Sequence, residues 1–385
     1  MKIIPTIQNG VDRLIKEDFG LRGLRLGLIT APTGLTTMLV STIDILRQGF
    51  TLTALFSPEH GVRGDIDDGA SVADYTDSRT GVMVYSLYRG DNAAVAYPLD
   101  DVDALVIDVQ DIGCRYYTFI STMLSAMCAV AVAGKPFVVL DRYNPINGVT
   151  VEGNIPDFGF LSFIGCAAIP QRHGMTMGEL ARLFNANIGC DLRVVSVVGW
   201  RREQYGDETG IPWVNPSPAM PSVGTALLYP GTCLFEGTNV SEGRGTTRPF
   251  EQIGAPWLDA ELLAETLNAQ RIPGVIFRPV YFKPWSSKYS GQYCRGVQAH
   301  VVDRASFAAV KTGVAMIEAV REQGGDCFEW RKPSSEHSRY FIDLLTASDT
   351  LRVHGSAAYL AACEQGAASF QALRMPYLLY QHGGV

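Results

Sequence analysis

Leu52-Thr-Ala-Leu-Phe56, running into Ser57-Pro-Glu-His-Gly61, decides the fold. A short apolar run breaks off into a polar turn, as a buried strand does where its carboxyl end meets solvent. The pattern recurs on both sides. Arg25-Leu-Gly-Leu-Ile-Thr30 precedes it, followed by a turn at Thr33-Gly34 and a helix predicted from Ser41 to Gln48. Val82-Met-Val-Tyr85, Ala104-Leu-Val-Ile107 and Pro136-Phe-Val-Val-Leu140 follow it, with an apolar helix predicted from Thr118 to Ala133. Continuous apolar strands separated by helices predict a mostly parallel sheet covered on both faces, an α/β three-layer domain.

Farther along, Thr176-Met-Gly-Glu179 has the spacing of a capping box and starts a helix running to about Asn187. Leu192–Val198 reads as another strand, and the proline-rich stretch from Pro212 to Pro221 as an ordered loop anchored by Trp213 and Met220. A break near Gly254-Ala-Pro256 divides the chain into a large domain, residues 1–250, and a smaller α+β domain, residues 251–385. The second part carries predicted helices at Asp259–Gln270 and Ser306–Glu322, and strands at Gly274–Tyr281 and Gly296–Val302. A length of 385 residues suits two domains.

Composition narrows the function classes. Hydrophobic residues make up 47% and charged residues 18%, enough apolar material for large cores. The net charge of -7 and the lack of a dense basic patch argue against nucleic acid as partner. No run approaches the roughly 20 apolar residues of a membrane helix, so no membrane partner is expected. The eight cysteines are scattered without a Cys-x-x-Cys pair, and no signal-peptide core follows Met1. Both features favour the cytoplasm. No cofactor motif is present: Ala31-Pro-Thr-Gly34 stands where a dinucleotide glycine motif would fall, and no phosphate loop occurs.

The chemistry gathers at three strand ends, where open parallel sheets bind ligands. After Phe56 come Glu59, His60, Arg63 and Asp65; after Ile107 come Asp108, Gln110, Asp111, Arg115 and Tyr117; after Leu140 come Asp141, Arg142 and Asn144. Any one Asp or Asn there serves equally as a turn former, but joint polarity at three ends points to a site. Glu59, set between proline and histidine, is not a turn former by preference, and a partly buried carboxylic acid is what a glycosidic leaving group needs as proton donor. His60 can orient it or be structural. His173 precedes the capped helix and either faces a ligand or packs beside the cap. A second polar stretch, Tyr229 to Thr247, offers Glu236, Thr238, Asn239, Ser241 and Arg244 among closely spaced glycines, a composition suited to sugar hydroxyls.

The motifs resemble those of the exo-β-N-acetylmuramidases, once a domain of unknown function. The resemblance is carried by Leu28–Gly34, Ser57–Asp65, Asp108–Thr118, Leu140-Asp-Arg142 with Asn144-Pro145, His173–Thr176, Pro216–Pro221 and Glu236–Thr247. It extends from Pro249 to Pro256 and to Tyr377–Tyr380. Tyr143 and Ala219 depart from it, replacing a usual proline and asparagine. The resemblance implies a Rossmann-like catalytic domain, a smaller C-terminal domain and a cleft between them. It implies release of terminal N-acetylmuramic acid from the non-reducing end of peptidoglycan fragments, a disaccharide-type substrate, with Glu59 as acid. Asp111, Asp65 or the substrate's acetamido group is the expected partner of Glu59. Arg63, Arg115 and Arg244 are the candidates for the lactyl carboxylate, since a guanidinium grips it with two bonds. A metal-dependent hydrolase using Glu59, His60, Asp108 and Asp111, and a non-catalytic muropeptide-binding protein, are the alternatives. Homodimer formation is left open.

Overall fold

The computed structural model describes residues 7–64, 73–87, 97–333 and 338–381. The first part runs α1 (Gly10–Leu14), β1 (Arg25–Thr30), α2 (Thr42–Gly49), β2 (Thr51–Ser57), β3 (Tyr75–Thr76), β4 (Met83–Ser86), β5 (Ala104–Asp108), α3 (Phe119–Ala133), β6 (Phe137–Leu140), α4 (Met177–Ile188) and β7 (Leu192–Val195). The second runs α5 (Val223–Thr232), β8 (Gln252–Ala255), α6 (Ala260–Ala269), β9 (Val275–Phe282), β10 (Cys294–Val301), α7 (Ala309–Gly324), α8 (Phe341–Thr346), α9 (Thr350–Val353) and α10 (Gly355–Leu373).

The strands of the first part form one sheet in the order β3-β4-β2-β1-β5-β6-β7, parallel except for the antiparallel edge strand β3. Every residue of β5 and β6 is buried, as expected of strands covered on both faces. Register aligns the strand ends: Ile29 lies between Phe56 and Ile107, and Thr30 lies beside Asp108. The loops after β2, β1 and β5 therefore leave one edge at nearly one level. The chain order reverses across β1, and this is where such sheets place ligands. Gly34 lets the loop after β1 fold back over that edge, since a Cβ there would meet Thr30 Oγ1 at 2.0 Å and the Asp108 carbonyl at 3.2 Å.

The predicted capping box forms. Glu179 N–H donates to Thr176 Oγ1, and the Glu179 carboxylate accepts from Thr176 N–H at 3.0 Å. The second part is an antiparallel sheet, β8-β10-β9, packed with helices. One continuous core joins both parts, from Ile107, Met123 and Met127 to Phe235, Phe250 and Ile317.

Two sequence readings change. Tyr229–Thr232, the start of the polar glycine-spaced stretch, completes α5, and β8 occupies the place of the predicted break. Glycine misleads in both places because it serves close approach. In α5, a Cβ on Gly231 would meet the Ala309 carbonyl at 2.0 Å, and one on Gly313 of α7 would meet the Gly231 carbonyl at 2.3 Å. In β8, a Cβ on Gly254 would meet the Arg295 carbonyl at 2.7 Å. The stretch beyond Glu322, the end of the last helix predicted from sequence, holds α8, α9 and α10.

Candidate active site

Chain reversal after β2 places Glu59. Pro58–Gly61 forms a turn closed by Gly61 N–H donating to the Pro58 carbonyl at 3.2 Å. His60 takes φ +73°, a left-handed value that costs a non-glycine residue of order 1 kcal/mol or more. Such strain persists where surrounding structure demands it, and here it is followed by Gly61 at φ +82°. Glu59 is half-buried, His60 buried. Thr118, at the start of α3, donates its hydroxyl to Glu59 Oε2 at 2.7 Å.

Glu59 and His60 line a cavity of about 290 Å³ with Tyr117, Thr118, Glu236 and Arg244. Its walls add Tyr116, Tyr229, Phe250 and Ser217, and Ser162–Ile164 from an intervening loop. Both parts of the chain contribute. The aromatic wall is interlocked: Tyr229 packs edge-on against Phe250 at 4.7 Å and Tyr117 at 6.0 Å.

Glu236 is the second carboxylate in this cavity. Burial pushes its carboxyl up, Glu242 adds to the rise, and Arg244 and Lys288 oppose it. Arg244 holds Glu236 Oε1 through Nε at 3.0 Å and Nη2 at 2.9 Å, and lies 4.9 Å over the Phe250 ring. Glu242 is fixed by Lys288 at 2.9 Å, with Lys288 also donating to the Phe235 and Val240 carbonyls. A carboxylic acid, a half-buried acid–arginine pair and aromatic walls can receive a polar ring with an anionic substituent.

Other predicted site residues are placed elsewhere. Arg115 requires correction as a carboxylate ligand. It is fully buried, and its guanidinium donates to four backbone carbonyls, those of Asn154, Ile169, Leu345 and Thr346. Arg63 is spent on Asp77 through two bonds of 3.0–3.1 Å. Arg142 grips Asp108 through bonds of 2.6 and 3.0 Å, and Asp108 also accepts from Thr42. Asp111 does not line the cavity: it is buried, accepts from Gly113 N–H at 2.6 Å, and lies 3.6 Å from the buried His173 Nε2. Asp141 accepts from Thr176 and Gly178 at the start of α4. Asn144, Gln110 and Asn239 bond backbone groups, as do the Thr238 and Ser241 hydroxyls. These polar groups hold the loops that carry the cavity. Asp65 lies outside the described residues.

Thr118, Tyr116 and Ser217 line the cavity but were not among the predicted site residues, although all three lie within the motifs quoted above. Phe163 and Ile164 carried no such signal. Among the described residues no group of three or more His, Cys, Asp or Glu side chains could hold a metal ion. No helix among them is long and apolar enough to cross a membrane.

Fold and cavity together give an α/β protein whose pocket holds two carboxylates, the group type that most glycoside hydrolases use. The chain belongs to the exo-β-N-acetylmuramidase NamZ family, whose N-terminal model matches residues 26–224 and whose C-terminal model matches residues 227–380. The seam between the two matches precedes the expected boundary at residue 250. The peptidoglycan β-N-acetylmuramidase NamZ of Bacillus subtilis (strain 168) is 45% identical, over 98% of this chain and 92% of that protein. Two crystal structures of DUF1343 family proteins from Bacteroides fragilis NCTC 9343 share the fold. One has a TM-score of 0.89 at 37% identity, covering 98% of this chain and 100% of the other. The second has a TM-score of 0.73 at 28% identity, covering 98% and 99%.

Proposed function

We propose that the protein is an exo-acting glycoside hydrolase releasing non-reducing terminal N-acetylmuramic acid from peptidoglycan fragments of the MurNAc-GlcNAc type. The observation that carries this reading is the placement of Glu59 beside Thr118, in one cavity with the Glu236–Arg244 pair. Family membership and the Bacillus relative support the substrate class.

Glu59 gives its proton to the glycosidic oxygen as the bond to the anomeric carbon breaks. The remaining sugar leaves as an alcohol. Positive charge develops on the anomeric carbon, and the carboxylate left on Glu59 then takes a proton from the water that completes hydrolysis. The substrate's acetamido oxygen supplies the internal nucleophile, with Glu236 the protein carboxylate placed to assist. Arg244 binds the lactyl carboxylate, sharing its guanidinium between that group and Glu236. Cytoplasmic residence is proposed as well, supported by eight unpaired cysteines; cell fractionation tests it.

A chromogenic β-N-acetylmuramide beside the matching N-acetylglucosaminide tests the reaction. Cleavage of the muramide is expected. Cleavage of the glucosaminide alone would overturn the lactyl assignment, and cleavage of neither would overturn the hydrolase reading.

A further inference from the structure

The sheet β8-β10-β9 leaves one face open. A groove of about 520 Å³ runs over it, lined by Arg248, Arg278, Lys283, Tyr281, Trp285 and His300 among others. Arg278 on β9 stands opposite Gln298 on β10 and donates to its Oε1 at 2.6 and 3.1 Å, and to His300 Nε2 at 3.2 Å. Neither Arg278 nor Lys283 has a carboxylate partner among the described residues; Lys283 lies 5.3 Å over the Tyr293 ring. The carboxylates at the margin are otherwise occupied, Glu251 by Arg248 at 3.1 Å and Glu261 by the Tyr281 hydroxyl. Tyr281 and Trp285 are 61% and 67% exposed, and so offer flat apolar faces beside unmatched cations. In a chain of net charge -7 this is a local reversal of sign.

The groove adjoins the catalytic cavity. Arg244 lines the cavity and Thr246 lines the groove. Two residues of chain span at most about 7 Å. The connection is fixed, with Trp285 N–H donating to the Gly245 carbonyl at 2.8 Å, and Thr246 Oγ1 donating to the Gly243 carbonyl at 2.6 Å while accepting from Gln252 at 3.0 Å. At Gly245, φ is +69° and a Cβ would meet the Ser286 carbonyl at 2.3 Å, so the turn admits only glycine.

We propose that this groove is a subsite for the acidic peptide carried by the leaving portion of the substrate, with Arg278 and Lys283 pairing its carboxylates and Trp285 packing on its apolar parts. The assignment rests on the peptidoglycan reading above. An exo-acting enzyme encloses one terminal sugar, and the rest of the fragment must pass out of the cavity. Where its lactyl groups are amidated by peptide the sugars are neutral, so the glycan of a peptide-bearing fragment leaves both cations unmatched. Peptide carboxylates match them.

The test uses intact protein, with Arg278→Ala/Lys283→Ala compared with wild type on three substrates. These are the chromogenic muramide, a muramic-terminated tetrasaccharide bearing an acidic stem peptide on its internal muramic acid, and the same tetrasaccharide with that lactyl group capped as a simple amide. Two partly exposed charge pairs predict a loss of about tenfold in kcat/KM on the peptide-bearing substrate alone. Added salt should erode the wild type's preference for that substrate. Equal losses on capped and peptide-bearing substrates, or no loss, overturn the proposal. Lys283→Ala alone keeps the test sound if the double variant is unstable. Should wild type cleave no muramide, the hydrolase reading fails separately. Anisotropy with a fluorescent stem peptide then decides the groove: binding lost in the variant supports it, and no binding to wild type overturns it.

Discussion

Replacing Glu59 with glutamine keeps the outline of the cavity and removes one transferable proton. The amide oxygen can take the acceptor place that Glu59 Oε2 holds toward Thr118 at 2.7 Å, so the side chain should keep its position. A positioned general acid contributes about 10²–10⁴-fold, which is roughly 3–5 kcal/mol of barrier. The full loss is expected on a muramyl disaccharide, whose leaving sugar alcohol is a poor anion. A nitrophenyl muramide departs as a stabilised phenolate and needs little protonation, so its loss should stay within about tenfold. Initial rates of sugar release on both substrates give the two factors, and thermal melting confirms that the variant is folded. The same loss on both substrates, or a loss below about tenfold on the disaccharide, would refute the role. Glu236, whose carboxyl burial pushes up in the same cavity, would then inherit it.

Arg244→Ala should raise KM for muramides by about 10–100-fold, the worth of a charge-assisted hydrogen bond near 1.5–3 kcal/mol; an unchanged KM would free Arg244 from the lactyl group. Arg115→Met should cost about 3–5 kcal/mol in denaturant unfolding, because it strands four buried carbonyls, and residual folded enzyme should keep its KM. Burial pushes the Asp141 carboxyl up to about 6 from 3.8, against bonds from Tyr380, Gly178 and Thr176. Between those values the unfolded chain gives up the proton first, so stability is highest below the lower value and falls with rising pH, by about 3 kcal/mol in all. Asp141→Asn should flatten that part of the pH profile in urea unfolding; an unchanged slope would contradict the assignment.

The parallel sheet was legible because Ala54–Phe56, Ala104–Ile107 and Phe137–Leu140 are buried on both faces and need no partner pattern to be recognised. Glu59 stood out because glutamate is not a turn former by preference, and its turn carries it to the cavity wall. Its companions were harder to rank. Arg63, Arg115 and Arg244 look alike in sequence, and only the surroundings separate a guanidinium spent on Asp77 or on carbonyls from one in the cavity. Asp111 and Asp141 follow strands as catalytic acids do, yet they accept backbone N–H groups. Gly231 reads as a turn former because sequence does not distinguish a turn from a close helix crossing. The buried stripe of α10 mixes Tyr359 and Phe370 with the small residues Ser356, Cys363 and Gly366, so its apolar periodicity is weak in the sequence.

The end of the described chain returns to the first sheet. Tyr380 takes a hydrogen bond from Val197 N–H at 3.0 Å, donates to Asp141 and packs edge-on against Trp200. Leu379 N–H reaches Glu179 at 2.8 Å, and Arg182 holds the Tyr377 carbonyl at 2.9 Å. On the ribosome, α4 and its buried acids therefore wait for partners that emerge more than 180 residues later. The first sheet must be held half-finished while the second lobe is made. A gene fragment ending at residue 224 would yield a chain with Asp141 and Glu179 still short of these partners and its share of the common core uncovered, one expected to aggregate.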